Sequence, residues 1–345
     1  MPDKNNLQVL DSIRGAAAIY VVLHHWLPHL SSVPKWISKG VFAFGQESVM
    51  LFFLLSGFVI GLSCFRTSNM TFRNYFLKRF RRIYFPFIIA ILLSTLIAFI
   101  QGYFIKDFSL AELIGNLFML QDISFIKPGT WFEPFLGNLS LWSLTYEWWF
   151  YMLFFAIYKL AFRSPYRFYG IAALSIIAYS IYWIYPNQIS LILTYFTIWW
   201  SGIELADLYF HKEKFNIVNL KPILIILGGL SVISFIPVFR AESIQFGLYP
   251  FLIFRHFFVS LLFVFLVWIV IHFKLDKHNN IIAPFSKISP ISYGLYIFHF
   301  PLLIQFQGFP FVSPFFNEVF KALLLLVLAF LVEIKFQPIV NRLIR

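Results

Sequence analysis

Residues 10–26 read LDSIRGAAAIYVVLHHW, an apolar stretch with an acid and an arginine at its start and two adjacent histidines near its end. A helix turns by about 100° and rises by about 1.5 Å per residue, so Arg14 and His25 differ by roughly 20° in direction and by about 16 Å along the axis. Asp11 lies three residues before Arg14, close enough to pair with it. One side of this helix is therefore predicted to carry Asp11, Arg14 and His25, whereas His24 points elsewhere.

Ionisable side chains in an apolar helix are costly, and they usually face a bundle interior or a watery cavity. The stripe therefore indicates a catalytic or a transport function. It is equally consistent with a helix whose acid and arginine lie among lipid headgroups and whose histidine reaches the opposite interface. The stretch by itself does not separate the two interpretations.

The composition is that of a polytopic membrane protein. Of the 345 residues, 60% are hydrophobic and only 12% are charged, and the mean hydropathy is +0.79. Soluble domains carry about twice that charged fraction. The net charge of +12 is spread between apolar runs. This spread favours a role in topology, in contacts with membrane lipids or in binding a phosphorylated ligand, and it argues against nucleic acid. The single cysteine, Cys64, excludes an intramolecular disulfide.

Ten apolar runs are long enough to cross a bilayer. If the chain crosses at each of them, 20 of its 27 lysines and arginines fall on the side that holds both termini, and this side is expected to be cytoplasmic. The sequence therefore predicts an all-α integral membrane protein with ten transmembrane helices and cytoplasmic termini. We expect one domain over residues 1–345 with no appended soluble domain. The runs lie near 7–27, 41–64, 83–105, 139–162, 168–186, 189–210, 222–239, 250–273, 290–307 and 315–334.

Polar residues mark three of the later spans. Arg79 and Arg82 share a helix face at the predicted cytoplasmic surface, which suits phosphate groups, although a simple cytoplasmic anchor would look the same. Glu147 lies among tryptophans in the outer part of its span, where a carboxylate needs a partner or a proton. In the second span, Ser56 and Gly57 form a small face on which another helix can pack closely.

The longest predicted outer connection covers residues 106–138. Its first part, 110–120, has the pattern of an amphipathic helix. Long connections without secondary structure are uncommon unless they have a function. The segment is therefore expected either to cap a site that is entered from outside or to be a solvated loop.

Five motifs in this order resemble the membrane-bound acyltransferase 3 family over nearly the whole chain. They are LDxxRG with a histidine eleven residues after the arginine, FFxxSGF, RxxRIxxP, WSLxxE and SYxLYxxH. The resemblance implies transfer of an acyl group, usually acetyl, from cytoplasmic acyl-CoA to a hydroxyl of a cell-surface or exported glycan or glycolipid. It also implies the inner membrane of a bacterium as the location. The chain departs from the family pattern at Ser12, Met50 and Trp148, where glycine, aspartate and a second acid are common.

Carried onto this sequence, the resemblance makes His25 the essential histidine and Arg14 its companion. It makes Arg79 and Arg82 the acyl-CoA-binding pair. We expect neutral His25 to take the proton of the acceptor hydroxyl as a general base, with Glu147 orienting the imidazole.

Other interpretations of these residues stay open. An acyl-histidine intermediate is a second route, and His24 is the alternative working residue. No metal site is expected, because Pro28 separates His25 from His29 and no third ligand is in view. His299 is expected to support another side chain of the site or to pack at an interface, rather than to act as a catalyst. The competing function is a proton-coupled transporter or flippase, in which Asp11, Arg14, His25 and Glu147 would form a proton relay.

Overall fold

The computed structural model describes residues 4–67, 70–211, 216–273 and 283–344. The structure is 79% helical, and the described residues form no β-strand. The helices are α1 (Lys4–Trp26), α2 (Gly45–Phe65), α3 (Phe72–Ile100), α4 (Phe104–Asp107), α5 (Leu110–Leu117), α6 (Trp142–Leu160), α7 (Arg167–Ile184), α8 (Gln188–Phe210), α9 (Ile217–Phe235), α10 (Phe251–His272), α11 (Ser292–His299), α12 (Pro314–Phe330) and α13 (Gln337–Leu343). Two segments with π-helical hydrogen bonding, Phe300–Gln305 and Leu331–Phe336, continue α11 and α12.

Each of the ten predicted spans falls on one of these helices, and the all-α prediction is confirmed. Within the described ranges, six helical segments are long and apolar enough to cross a membrane. The remaining predicted spans coincide with α1 and α6, which carry ionisable residues, and with α11 and α12, which run into π-helical segments. The number of ten and the cytoplasmic termini therefore stay predictions. The six segments are Ile37–Phe65, Phe72–Ile100, Arg167–Ile184, Gln188–Phe210, Ile217–Arg240 and Phe251–Val270.

Helices α2 and α8 touch through their backbones. A Cβ atom added to Gly57 would lie 1.9 Å from the carbonyl oxygen of Trp199, and one added to Gly202 would lie 2.1 Å from that of Leu54. Small residues allow this approach because no side chain stands between the two helices. The close packing predicted for Ser56 and Gly57 is confirmed, and α8 is the partner.

The connection between α5 and α6 folds into the bundle instead of lying in solvent. Gln121 and Asn138 are completely buried. The Tyr84 hydroxyl, in the middle of α3, donates to the Leu117 carbonyl at 2.9 Å, and Asn138 donates to Ser94 at 3.2 Å. Irregular backbone can lie inside such a bundle only where protein groups satisfy its polar atoms. The prediction of a solvated loop is therefore wrong for this segment. The helix expected within 110–120 is present as α5.

An ion pair holds this buried segment against the start of α6. Lys127 Nζ lies 2.6 Å from Asp122, and both side chains are almost completely shielded from solvent. The same ammonium group lies 4.0 Å from the centre of the Trp142 ring, and the Tyr146 hydroxyl donates to Asp122. Because both charges are paired and hydrogen-bonded, the segment can fix the position of α6 without burying an uncompensated charge.

Gly57→Ala tests the contact between α2 and α8. The added methyl group meets a backbone carbonyl, so the helices must separate, and we expect a loss of about 1–3 kcal/mol in stability. The matched control is Gly170→Ala in α7, where a Cβ meets nothing within 4 Å and helix propensity alone predicts a gain of about 0.5–1 kcal/mol. Thermal unfolding of the detergent-solubilised proteins, followed by tryptophan fluorescence, compares the two. Equal melting temperatures would contradict the packing described above.

Candidate active site

A cavity of about 200 Å³ lies between α1, α2, α3, α6 and α11. Four of the six predicted site residues line it, namely Arg14, Arg79, Arg82 and Glu147. These residues come from motifs that are far apart in sequence, and the fold brings them to one place. Hydroxyl groups supply most of the other polar atoms in the wall, from Ser56, Ser143, Tyr151, Ser292, Tyr293 and Tyr296.

The two arginines of α3 differ in how their charges are compensated. Arg82 forms an ion pair with Glu333, whose side chain is only 1% exposed, and its guanidinium group lies 5.2 Å from the Tyr293 ring centre. Arg79 lies over the rings of Tyr75 and Tyr151 at 5.4 and 5.3 Å, and its Nε atom is buried without a hydrogen-bond partner. No carboxylate among the described residues pairs with Arg79. Its charge is therefore available to an anion in the cavity.

The partner of Arg82 was missed from the sequence. Glu333 follows α12 in the π-helical segment, 251 residues after Arg82 along the chain. The sequence does place a single acid next to the apolar run 322–332, and a carboxylate in that position indicates a cation nearby. Local spacing, however, cannot identify that cation.

Arg81 lies between these two arginines and points away from the cavity. Its guanidinium group donates to the Asn341 carbonyl at 2.9 Å and also to the Ile344 carbonyl, while Gln337 donates to the Arg81 carbonyl at 3.1 Å. Arg81 therefore fastens the C-terminal helix α13 to α3. This contact keeps Glu333 close to Arg82.

Glu147 interacts with residues around the arginine cavity and not with His25. The Tyr151 hydroxyl donates to Glu147 Oε1, and Ser56 Oγ lies 3.4 Å from the same oxygen. Trp199 in α8 donates to Ser56 at 3.1 Å. The expectation that Glu147 orients His25 is therefore not met by this geometry.

Glu147 lies closer to the arginines than the sequence suggested. Glu147 was expected in the outer part of the bilayer and the arginines at the cytoplasmic surface, yet all of them line one cavity. Two features account for this. Helix α3 begins at Phe72, so Arg79 and Arg82 lie within the helix, and the buried segment before α6 carries the start of that helix into the bundle.

The pairing expected on the first helix is present. Arg14 Nη1 lies 3.6 Å from Asp11 Oδ1, and the same carboxylate oxygen accepts a hydrogen bond of 2.9 Å from Ser289. Arg14 also contributes to the cavity wall beside Arg79 and Arg82. Asp11 is thus the support of Arg14 and does not itself line the cavity.

His25 lies in a separate aromatic cluster further along α1. Its ring is 4.6 Å from the His24 ring, 5.2 Å from the His299 ring and 5.6 Å from the Phe300 ring, measured between centres. Three histidines are therefore adjacent at this point. Across the described ranges, no three His, Cys, Asp or Glu side chains are arranged to hold a metal ion.

His24 makes a structural contact with the connection between α1 and α2. Its Nδ1 donates to the Phe42 carbonyl, and its ring occupies the space where Gly45 would carry a Cβ atom. This contact attaches the connection between α1 and α2 to the end of α1. Of the two adjacent histidines, His25 is the one whose ring faces α11.

Tyr296 connects the cavity with the histidine cluster. Its hydroxyl lies 2.8 Å from Ser143 Oγ in the cavity wall, and its ring centre is 6.0 Å from that of His299, one turn later in α11. The site therefore has a cationic end at Arg14 and an imidazole end at His25, both on α1 and about 16 Å apart along its axis. Such a site suits a long substrate with an anionic end and a reactive end.

The sequence profile of the acyltransferase domain matches residues 7–334, essentially the whole described chain. Comparison with curated proteins and with solved structures gives no match. The motifs that suggested the family fall within the matched residues, and four of their charged side chains line the cavity described above. The chain therefore belongs to the acyltransferase 3 family and is a membrane acyltransferase.

Proposed function

We propose that the protein moves an acyl group, acetyl in the simplest case, from cytoplasmic acyl-CoA to a hydroxyl of a cell-surface or exported glycan in the inner membrane of a bacterium. The supporting observation is the cavity in which Arg14, Arg79 and Arg82 converge. CoA carries a pyrophosphate and a 3′-phosphate, and guanidinium groups bind phosphate oxygens through paired hydrogen bonds.

The donor binds with its phosphates against the arginines. Arg79 makes the strongest contact, because its charge has no carboxylate partner among the described residues and it lies over two tyrosine rings. Glu147 acts indirectly here. It accepts the hydrogen bond of Tyr151, and the Tyr151 ring supports the Arg79 guanidinium group. Glu147 is thus a positioning residue of the donor site.

The acyl end of the donor follows α1 from Arg14 towards His25. Neutral His25 removes the proton of the acceptor hydroxyl while the hydroxyl oxygen attacks the thioester carbonyl carbon. A carbon–oxygen bond forms, the carbon–sulfur bond breaks, and the proton passes from His25 to the departing sulfur, which leaves as the thiol of CoA. The cycle returns His25 to its neutral form and needs no metal ion or redox cofactor.

Arg79→Ala tests the donor site. Loss of a charge-assisted contact of about 1.5–3 kcal/mol weakens CoA binding by roughly ten- to a hundredfold. The measurement is equilibrium binding of CoA and of 3′-dephospho-CoA to the purified protein in detergent. Arg82→Ala is a less specific test of CoA binding, because it also leaves the buried Glu333 carboxylate without its cation.

The control for this variant is Lys78→Ala, which removes the same unit charge from an exposed neighbour in α3. Its CoA affinity is expected to stay within about twofold of the wild type, because exposed charges contribute little. If Arg79→Ala and Lys78→Ala bound CoA equally well, the cavity would not be the donor site. If the wild type bound no CoA, the transporter interpretation would replace the proposal.

His25→Asn and His24→Asn compare the two adjacent histidines. In His24→Asn the amide can still donate to the Phe42 carbonyl, so we expect near wild-type turnover. In His25→Asn the general base is lost, and the rate of CoA release from acetyl-CoA is expected to fall by about 10²–10⁴-fold while CoA affinity is retained. Thiol release measured in proteoliposomes, with water supplying the hydroxyl that accepts the acetyl group, gives both rates. Full activity of His25→Asn would rule out this mechanism.

A further inference from the structure

His299 has one buried ring nitrogen that forms no hydrogen bond with any described residue. The side chain is completely shielded from solvent, and its Nδ1 lies 2.6 Å from the Tyr296 carbonyl oxygen. Its Nε2 is buried and has no hydrogen-bond partner within the described part of the chain. Burying a polar atom without a hydrogen-bond partner costs free energy, so such an atom usually has a functional or structural reason.

The hydrogen bond to Tyr296 determines which nitrogen of His299 carries the proton. A carbonyl oxygen only accepts hydrogen bonds, so the Nδ1 atom must be the donor. In a neutral imidazole the other nitrogen then has a free lone pair and acts only as an acceptor. His299 therefore offers a fixed acceptor at Nε2.

Of the aromatic rings that contact His299, the ring of His25 is the nearest. The two ring centres are 5.2 Å apart and the ring planes are inclined by 30°. Two imidazoles joined by a hydrogen bond of about 2.9 Å have centres separated by roughly 5 Å. The separation of the His25 and His299 ring centres therefore matches that of a hydrogen-bonded pair of imidazoles.

We propose that His299 is the positioning residue of His25, accepting a hydrogen bond from the His25 ring N–H through its free Nε2. This inference rests on the proposed function and deepens it. The bond keeps the proton of neutral His25 on the nitrogen that faces α11, so the other nitrogen is free to take the proton of the acceptor hydroxyl. When His25 becomes charged, His299 Nε2 stabilises the imidazolium. His299 itself neither gains nor loses a proton in the cycle.

A neutral partner fits this environment better than a carboxylate. Glu147 interacts with the Tyr151 and Ser56 hydroxyls in the other part of the site. A second histidine can orient the first without placing a permanent charge in the apolar interior, where an unpaired charge is costly. Of the two roles that the sequence left open for His299, support of another side chain or packing at an interface, this inference takes the first.

Two substitutions separate the acceptor function of His299 from its structural hydrogen bond. His299→Asn keeps a donor close to the position of Nδ1, so it retains the bond to Tyr296, but it has no acceptor at the position of Nε2. His299→Gln places its amide oxygen near the position of Nε2 and loses the bond to Tyr296. The measurements are kcat and KM for CoA release from acetyl-CoA in proteoliposomes, together with CoA affinity and melting temperature.

We expect kcat of His299→Asn to fall by at least about tenfold, with CoA affinity unchanged, and His299→Gln to recover most of this loss. If His299 had only a structural role, His299→Asn would be more active than His299→Gln, because it keeps the bond to Tyr296. That order of activities, or an equal loss in both variants, would overturn the proposal. The double variant His25→Asn/His299→Asn should be no slower than His25→Asn alone, because the two residues act together. The comparison of the double variant with His25→Asn remains informative even if one of the single variants is less stable.

The result also separates this inference from the proposed function. If His25→Asn is inactive while His299→Asn turns over at the wild-type rate, His25 keeps its role and His299 loses the one inferred here. If His25→Asn is fully active, the mechanism itself fails, and the proposal for His299 fails with it.

Discussion

An uncompensated charge inside an apolar helix bundle is costly, and this constraint explains where the polar side chains of the protein lie. Most buried or half-buried ions in the described ranges meet a partner of opposite sign, either nearby on the same segment or from another part of the chain. The cavity lined by Arg14, Arg79 and Arg82 departs from this rule at Arg79, to which the described residues bring no carboxylate. The compensated pairs are Asp11–Arg14, Glu47–Arg255, Arg82–Glu333, Asp122–Lys127, Arg167–Glu204, Arg167–Asp207 and Glu318–Lys321.

Much of the helical framework was predictable because it depends on local patterns. Apolar runs long enough to cross a bilayer predicted where the helices lie, and the small face at Gly57 predicted a close helix contact. The pairing of Asp11 with Arg14 followed from their spacing of three residues. Each of these features is set within a few turns of one helix, so neighbouring residues carry the information.

The rest of the site depends on contacts between distant parts of the chain. The approach of Glu333 to Arg82 joins residues 251 positions apart, and the depth of Glu147 follows from a buried segment that has no regular pattern. The closeness of His299 to His25 arises because α11 packs against α1. Spacing along one helix predicts which side chains share a face. It does not predict which other helix that face meets.

The ion pair between Arg82 and Glu333 has a consequence for biosynthesis. During translation α3 is complete long before the segment Leu331–Phe336 has been made. Until then Arg82 lacks the carboxylate that compensates its charge, and the contacts of Arg81 with α13 cannot form. The arginine-lined wall of the cavity is therefore complete only when the last helices join the bundle. A nascent chain that stops before residue 333 would lack one side of the Arg82 ion pair, so the cavity reaches its final form late in the synthesis of the protein.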